Sequence, residues 1–237
     1  MLASLHNHTN SDPNDPIRYS DKELIDHAHE KNFQILAITC HGKWIGSLDL
    51  IAYAKSKNIL LLPGVEISIR NRHIVILNAT QEAEKIRNFK ELKEYKKSHP
   101  ESFIIAAHPY FPGLNMINDM IEKNISCFDG IEFSWWHSDL IDFNKKGERL
   151  AKKNNLPFIG TSDTHNMKNF GITYCEIETS ILSTENIFEA LRENKLKNIS
   201  KTLKTWQMFL MPFIAIRDKL WLTKETWKKF ARTKLKR

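Results

Sequence analysis

Short runs of branched and aromatic apolar residues alternate along the chain with longer amphipathic stretches. This alternation restricts the fold to repeated strand–helix units around a parallel sheet. Strands are expected at Leu2–Leu5, Gln34–Thr39, Ile59–Leu62, Ile74–Leu77, Phe103–Ala107, Gly130–Phe133, Pro157–Thr161 and Ile172–Ile177. Their Ile, Leu, Val and Phe content suits strands covered on both faces. Helices are expected over Asp21–Lys31 and near 47–57, 81–97, 114–123, 138–154 and 184–194. Ser20, with Glu23 three residues on, forms a capping box for the first of these, whose buried stripe is Leu24, Ile25 and Ala28. Thr184 is expected to cap the last, with Ile187, Ala190 and Leu191 facing inward. About seven or eight such units in ~200 residues predict a small barrel rather than an open sheet.

At 237 residues, 41% hydrophobic and 27% charged, the chain is long enough to bury one sizeable core. Cys40, Cys127 and Cys175 form no CxxC pair, so neither a disulfide framework nor a thiolate zinc ribbon is expected. No basic leader followed by an apolar stretch and no run of ~18 apolar residues occurs, which predicts a cytoplasmic protein without a transmembrane segment. The net charge of +7 is unevenly placed. From Ser200 onward, eleven Lys/Arg face Asp218 and Glu225 alone, a net +9 that leaves the preceding residues at −2. Two parts are therefore expected: a domain over 1–199 and a basic extension over 200–237. In the extension Trp206, Phe209, Leu210, Phe213, Ile214, Leu220 and Trp221 recur at near-helical spacing, divided by Pro212. Such an amphipathic helix can pack on the domain, lie at a membrane surface as a peripheral anchor, or contact nucleic acid through its basic face.

The chemistry-bearing residues stand at strand ends. His6 and His8 follow the first strand in LHNHT, and a spacing of two in extended backbone points both rings the same way. Asp12 lies just beyond. His41 follows the second strand and Glu66 the third, while His73 opens the next; His108 closes the fifth strand, and Asp163 and His165, again two apart, close a later one. Imidazoles and carboxylates without thiolates are ligands for Zn, Mn or Fe. Six histidines and three carboxylates exceed the needs of one ion, so two or three divalent cations are expected, with Glu66 and Asp163 as natural bridges. Singly, an HxH, an AHP or an SDxH also suits a turn or a packed ring; it is their joint placement that carries the reading. His27 and His29 read as surface residues of a helix, His99 as a solvated loop residue, and His137 as a residue that could line the barrel mouth. Arg70 and Arg72 could hold a second phosphate or a carboxylate. No GxSxG elbow and no P-loop occurs, which argues against a serine hydrolase and a nucleotide-triphosphatase.

The order HxH, IT-x-H, PGVEIS, a strand histidine, AHP and SDxH resembles the PHP (polymerase and histidinol phosphatase) family over residues 2–199, and ENIFEALRENKL resembles the closing helix of such domains. The resemblance implies a distorted (β/α)7 TIM-like barrel, a trinuclear metal centre and phosphoesterase activity. It further implies one metal on His6, His8, Glu66 and Asp163, a second shared through Glu66 with His73 and His108, and a third on Asp12, His41 and His165. Glu66, Asp163 and His108 then form the catalytic group. Two departures stand out. The family usually carries Asp where this chain has Cys40, removing an acceptor beside His41, and the His8–Asp12 spacing is about one residue short, which makes Asp15 a substitute for Asp12. The implied substrate is a phosphorylated metabolite, a nucleotide or a nucleic-acid terminus. The alternative is a non-catalytic, metal-stabilised module recruited to a membrane or a larger assembly by its basic extension.

Overall fold

The computed structural model describes residues 1–70, 72–110 and 120–208. The extension beyond residue 208 lies outside the described residues, and with it the divided amphipathic helix; so does most of the helix expected near 114–123. The described chain falls into two units, one of residues 1–135 and 143–201, the other containing 136–142 and 202–208. In the second, Ser138 pairs with Leu203, and Leu203 N–H donates to the His137 carbonyl. His137 belongs to this second unit.

The larger unit is built on β1 (Leu2–Ser4), β2 (Ile35–Ile38), β3 (Leu60–Ser68), β4 (His73–Leu77), β5 (Phe103–Ala106), β6 (Gly130–Ser134), β7 (Phe158–Thr161), β8 (Thr173–Ile177) and β9 (Leu196–Ser200). Among the described residues they form one sheet in the order β7-β6-β5-β4-β3-β2-β1-β8-β9. The eight expected strands are present. The sheet is not wholly parallel: β4 runs antiparallel to β3 and β5, and β8 antiparallel to β1 and β9. The cause of the first reversal is local. Ile69 and Arg72 exchange both backbone hydrogen bonds across a two-residue turn whose first residue, Arg70, has φ 51°. That hairpin makes β3 longer than expected, for Leu60–Pro63 pair with β2 and Gly64–Ser68 with β4. Gly64 permits the switch, since a Cβ there would sit 2.7 Å from Thr39 Cγ2 and 2.8 Å from the Ile38 carbonyl.

The sheet curls until its edges meet. The side chain of Asn198 on β9 accepts from Gly160 N–H and donates to the Phe158 carbonyl, both at 2.7 Å, as a peptide group of a neighbouring strand would. Ser162 Oγ likewise donates to the Thr173 carbonyl at 2.6 Å and accepts from its N–H. The result is a nearly closed barrel whose β7–β9 edges are joined by side chains.

The helices are α1 (Asp21–Glu30), α2 (Leu48–Ser56), α3 (Phe89–Ser98), α4 (Met120–Lys123), α5 (Asn144–Lys153) and α6 (Thr184–Arg192). The Ser20–Glu23 capping box is present, and Leu24, Ile25 and Ala28 are buried. The cap of α6 is Ser183, one residue earlier than expected. The single helix expected over 81–97 is a 3-10 turn (Gln81–Lys85) followed by α3, because Ile86 is extended and Asn88 caps the new start. The helix expected over 138–154 begins only at Asn144. Outside the barrel, α1 and α2 pack over Leu36, Ile38 and Leu61, and α3 and α5 over Ile74, Ile76 and Ile131. Inside it, Leu62, Val75, Leu77, Phe103, Ile105 and Ile159 form an apolar column. Ile187, Phe188 and Leu191 of α6 close that column from below, with the Phe103 and Phe188 rings 5.1 Å apart. At about 25 cal/mol per Å² of apolar area, this burial is the main source of stability.

Candidate metal centre

At the other end of the column the interior turns polar within one layer. The x residues of the HxH and DxH motifs, Asn7 and Thr164, face each other in a parallel bridge, with His8 N–H donating to the Thr164 carbonyl and Thr164 N–H to that of His6. This bridge brings His6, His8, Asp163 and His165 onto adjoining segments. Asn7 is the anchor, its Nδ2 donating to the Ser4 and Ala37 carbonyls. A second bridge joins His41 to Glu66. His73 reaches the same layer because β4 is reversed, so that its first residue, not its last, lies at the mouth.

The nine expected ligands meet in one place. Glu66 is central: Oε1 lies 2.9 Å from His73 Nδ1, 3.4 Å from His6 Nε2 and 3.6 Å from His108 Nε2, and Oε2 lies 3.0 Å from His41 Nε2 and 3.4 Å from His8 Nε2. Asp163 Oδ1 is 3.2 Å from His8 Nε2 and 3.4 Å from both His6 Nε2 and His165 Nδ1. His108 and Asp163 hold φ of 27° and 45°, a backbone strain of about 1–3 kcal/mol each for non-glycine residues that the surrounding fold sustains. Burial is graded. His6, His8 and Glu66 side chains are at most 1% exposed, whereas Asp15 and His165 reach 29% and 36%, so the cluster opens on their side.

Asp12 is arranged differently. Its Oδ2 accepts from the His41 backbone N–H at 2.8 Å and lies 2.8 Å from His8 Nδ1 and 2.9 Å from His41 Nδ1, while Oδ1 accepts from the Asn14 and Asp15 backbones. Both oxygens are fully engaged. Asp15 Oδ2 faces His165 Nε2 at 3.2 Å and His41 Nδ1 at 3.6 Å. Asp12 thus supplies the acceptor for His41 that Cys40 does not. Cys40 faces the outer core beside α1, its Sγ 3.5 Å from Thr9 Oγ1, and burial pushes its thiol up to about 11.

Sequence reasoning missed Glu132. It lies on β6, buried, with Oε2 3.0 Å from His6 Nδ1. A charged residue inside the apolar run GIEFS was the available signal. Arg72 is not brought to the cluster: it pairs with Ile69, whose side chain is in the outer core, on the ladder face opposite to Glu66 and His73. Arg70 is exposed at the hairpin tip. His99, expected in solvent, is half-buried with its ring stacked 4.2 Å from Tyr95.

Both oxygens of Glu66 and Oδ1 of Asp163 are buried without an aligned hydrogen bond among the described residues. Burial opposes charge on the histidines, yet the carboxylates of Asp12 and Glu66 outweigh it and raise His41 to about 10; Asp163 and Asp15 raise His165 to about 9. Burial likewise opposes ionisation of Glu66 and Asp163, and the surrounding imidazoles hold both well below the usual carboxylate range. Lone pairs of nitrogen and oxygen converging with too few protons between them are what a cation organises. Four overlapping groups have ligand atoms within 4.8 Å of one another: His8, His41 and His165; His6, His8 and Asp163; His41, Glu66 and His73; and Asp12, Asp15 and His41. The donor set fits divalent cations.

The model of the PHP domain matches residues 4–130, and that of a PHP-associated region matches 142–196. The chain belongs to the PHP domain family. Among solved structures, a two-domain protein containing a predicted PHP-like metal-dependent phosphoesterase from Bacteroides vulgatus is 19% identical, with a TM-score of 0.67 over 84% of this chain and 64% of its own. PsfC from Pseudomonas syringae is 15% identical, with a TM-score of 0.62 over 92% and 98% of the two chains. The lesion-specific endonuclease Q of Pyrococcus furiosus is 12% identical, with a TM-score of 0.57 over 83% of this chain and 57% of its own; an endonuclease Q is also matched in complex with a 27-mer duplex carrying an abasic lesion at its active site. The PHP chain spans less than two thirds of the first and third of these proteins. At such identities the likeness is one of fold. No protein of curated function matched the sequence. No helix among the described residues is long and apolar enough to cross a membrane.

Proposed function

We propose that this PHP domain is a metal-dependent phosphoesterase. The observation that carries the reading is the meeting of six histidines with Glu66 and Asp163, whose buried oxygens lack aligned protons. His6, His8, Glu66 and Asp163 would hold one ion, and Glu66 with His73 and His108 a second. His41 and His165 would hold a third with Asp15, because Oδ2 of Asp12 faces His8 and His41 and its Oδ1 accepts from the Asn14 and Asp15 backbones. Bound there, Zn, Mn or Fe ions would supply hydroxide at neutral pH and offset charge on a phosphoryl group. Glu66, Asp163 and His108 are the residues through which the substrate phosphate would be handled. The open side at Asp15 and His165 is the entry, and Arg70, exposed at the hairpin tip, would anchor a further anionic group of the substrate. No side-chain nucleophile is needed.

The substrate is a phosphate ester, either a small phosphorylated metabolite or nucleotide, or a nucleic-acid strand. The likeness to endonuclease Q, together with the +9 of residues 200–237, supports the second. Metal content, phosphate release from an aryl phosphate and cleavage of short DNA and RNA, measured on one preparation, test the reading. Bound metal without hydrolysis of any of these would favour a non-catalytic module, and activity that survives exhaustive chelation would refute metal dependence.

A further inference from the structure

Each buried imidazole of a metal centre has two nitrogens, and the one turned away from the ion decides whether the other offers its lone pair. His6 turns Nε2 into the cluster, 3.4 Å from both Glu66 Oε1 and Asp163 Oδ1. Its Nδ1 faces the barrel wall, where Glu132 Oε2 lies at 3.0 Å. Both side chains are within 1% of full burial, so water does not substitute for either partner. Glu132 stands opposite Ile159 in the β6–β7 ladder, and among the described residues its other oxygen has no hydrogen-bond partner. A buried carboxylate with a single protein partner is a poor way to stabilise a barrel wall. It is a good way to fix a proton on Nδ1 of a ring whose Nε2 meets a cation. The arrangement matches that of His8, whose Nδ1 meets Asp12 at 2.8 Å.

We propose that Glu132 is a positioning residue: by accepting the Nδ1 proton of His6 it commits Nε2 to one cation of the centre and raises its basicity toward that cation. The proposal rests on the metal-centre reading above. Two variants and a spectroscopic titration test it. Glu132→Gln keeps a carbonyl acceptor and the side-chain volume but removes the charge, and Glu132→Ala removes the acceptor as well. Cobalt(II) titrated into metal-free parent and variants, with absorption spectra and metal stoichiometry followed against a competing chelator, should show one ion weakened about tenfold in the Gln variant. The Ala variant should weaken the same ion by up to about 100-fold, with the remaining ions unaffected and the spectrum of that ion altered. A Gln variant that binds every ion as tightly as the parent overturns the proposal. So does a uniform weakening of all ions in step with a lowered Tm of the metal-free protein, the mark of a structural role. Failure of the parent itself to bind cobalt would overturn the metal-centre reading instead.

Discussion

The two ends of the barrel interior are chemically opposite, and one of them opens to solvent. Below, Leu62, Val75, Leu77, Phe103, Ile105 and Ile159 bury apolar side chains against one another. Above, Glu66, Glu132 and Asp163 bury carboxylate oxygens that no hydrogen bond among the described residues satisfies. The first arrangement is stable by itself. The second is stable only with protons on the histidines or cations between them. One end holds the barrel together, and the other holds its ligands apart in a geometry they would not adopt alone.

Several substitutions would break or sharpen that contrast. The largest effect is expected at the upper end, where His8→Ala or Asp163→Ala should abolish hydrolysis of an aryl phosphate by the purified, metal-loaded protein; retained turnover would remove these residues from the centre. Phe103→Ala, at the lower end, should cost about 3–5 kcal/mol in denaturant unfolding and leave the number of bound ions unchanged. Chelation should lower the unfolding midpoint, because a hundredfold excess of free metal over Kd stabilises the native state by about 2.7 kcal/mol; an unchanged midpoint would mean that the centre contributes nothing to folding. Asn198→Ala should cost about 1–3 kcal/mol, since it strands Gly160 N–H and the Phe158 carbonyl. A finer measurement concerns protons. With His41 raised to about 10 and His165 to about 9, both carry protons at neutral pH in the metal-free protein. Their contribution to metal-free stability is complete below about 6.5, the ordinary histidine value, and lost as pH rises through 9–10. Metal must displace those protons, so binding should tighten as pH rises and should release protons at pH 7, measurable by calorimetry in buffers of different ionisation enthalpy.

The upper end was the more legible in sequence, for a physical reason. In extended backbone HxH projects two side chains to one side, and strand ends gather by the barrel's closure, so the sequence assigns His6, His8, His41, Glu66, His108, Asp163 and His165 to one mouth. His73 was found without its reason. The reversal of β4 depends on a tight turn at Arg70, which the long extension of β3 past Pro63 and Gly64 disguised. Glu132 escaped because its value lies in what touches it: one carboxylate in a strand looks like an edge residue until His6 is seen beside it. The strand Leu196–Ser200 escaped likewise, since LKNIS has no apolar alternation and its place is set by the contacts of Asn198. The start of α3 was readable in Asn88 with Glu91, but the periodic apolar residues on both sides of Ile86 concealed the break.

The side-chain seam has a consequence for how the molecule could be held shut. Strands elsewhere in the wall are laced by runs of peptide hydrogen bonds, while β7 meets β9 through one asparagine, and Asp163 and His165 follow directly on β7. His6 and His8 lie across from them on the wall that begins with β1. A cation gripped by both pairs would act as a rivet beside the two peptide hydrogen bonds that tie Thr164 to His6 and His8, so that loading the centre would also tighten the cylinder.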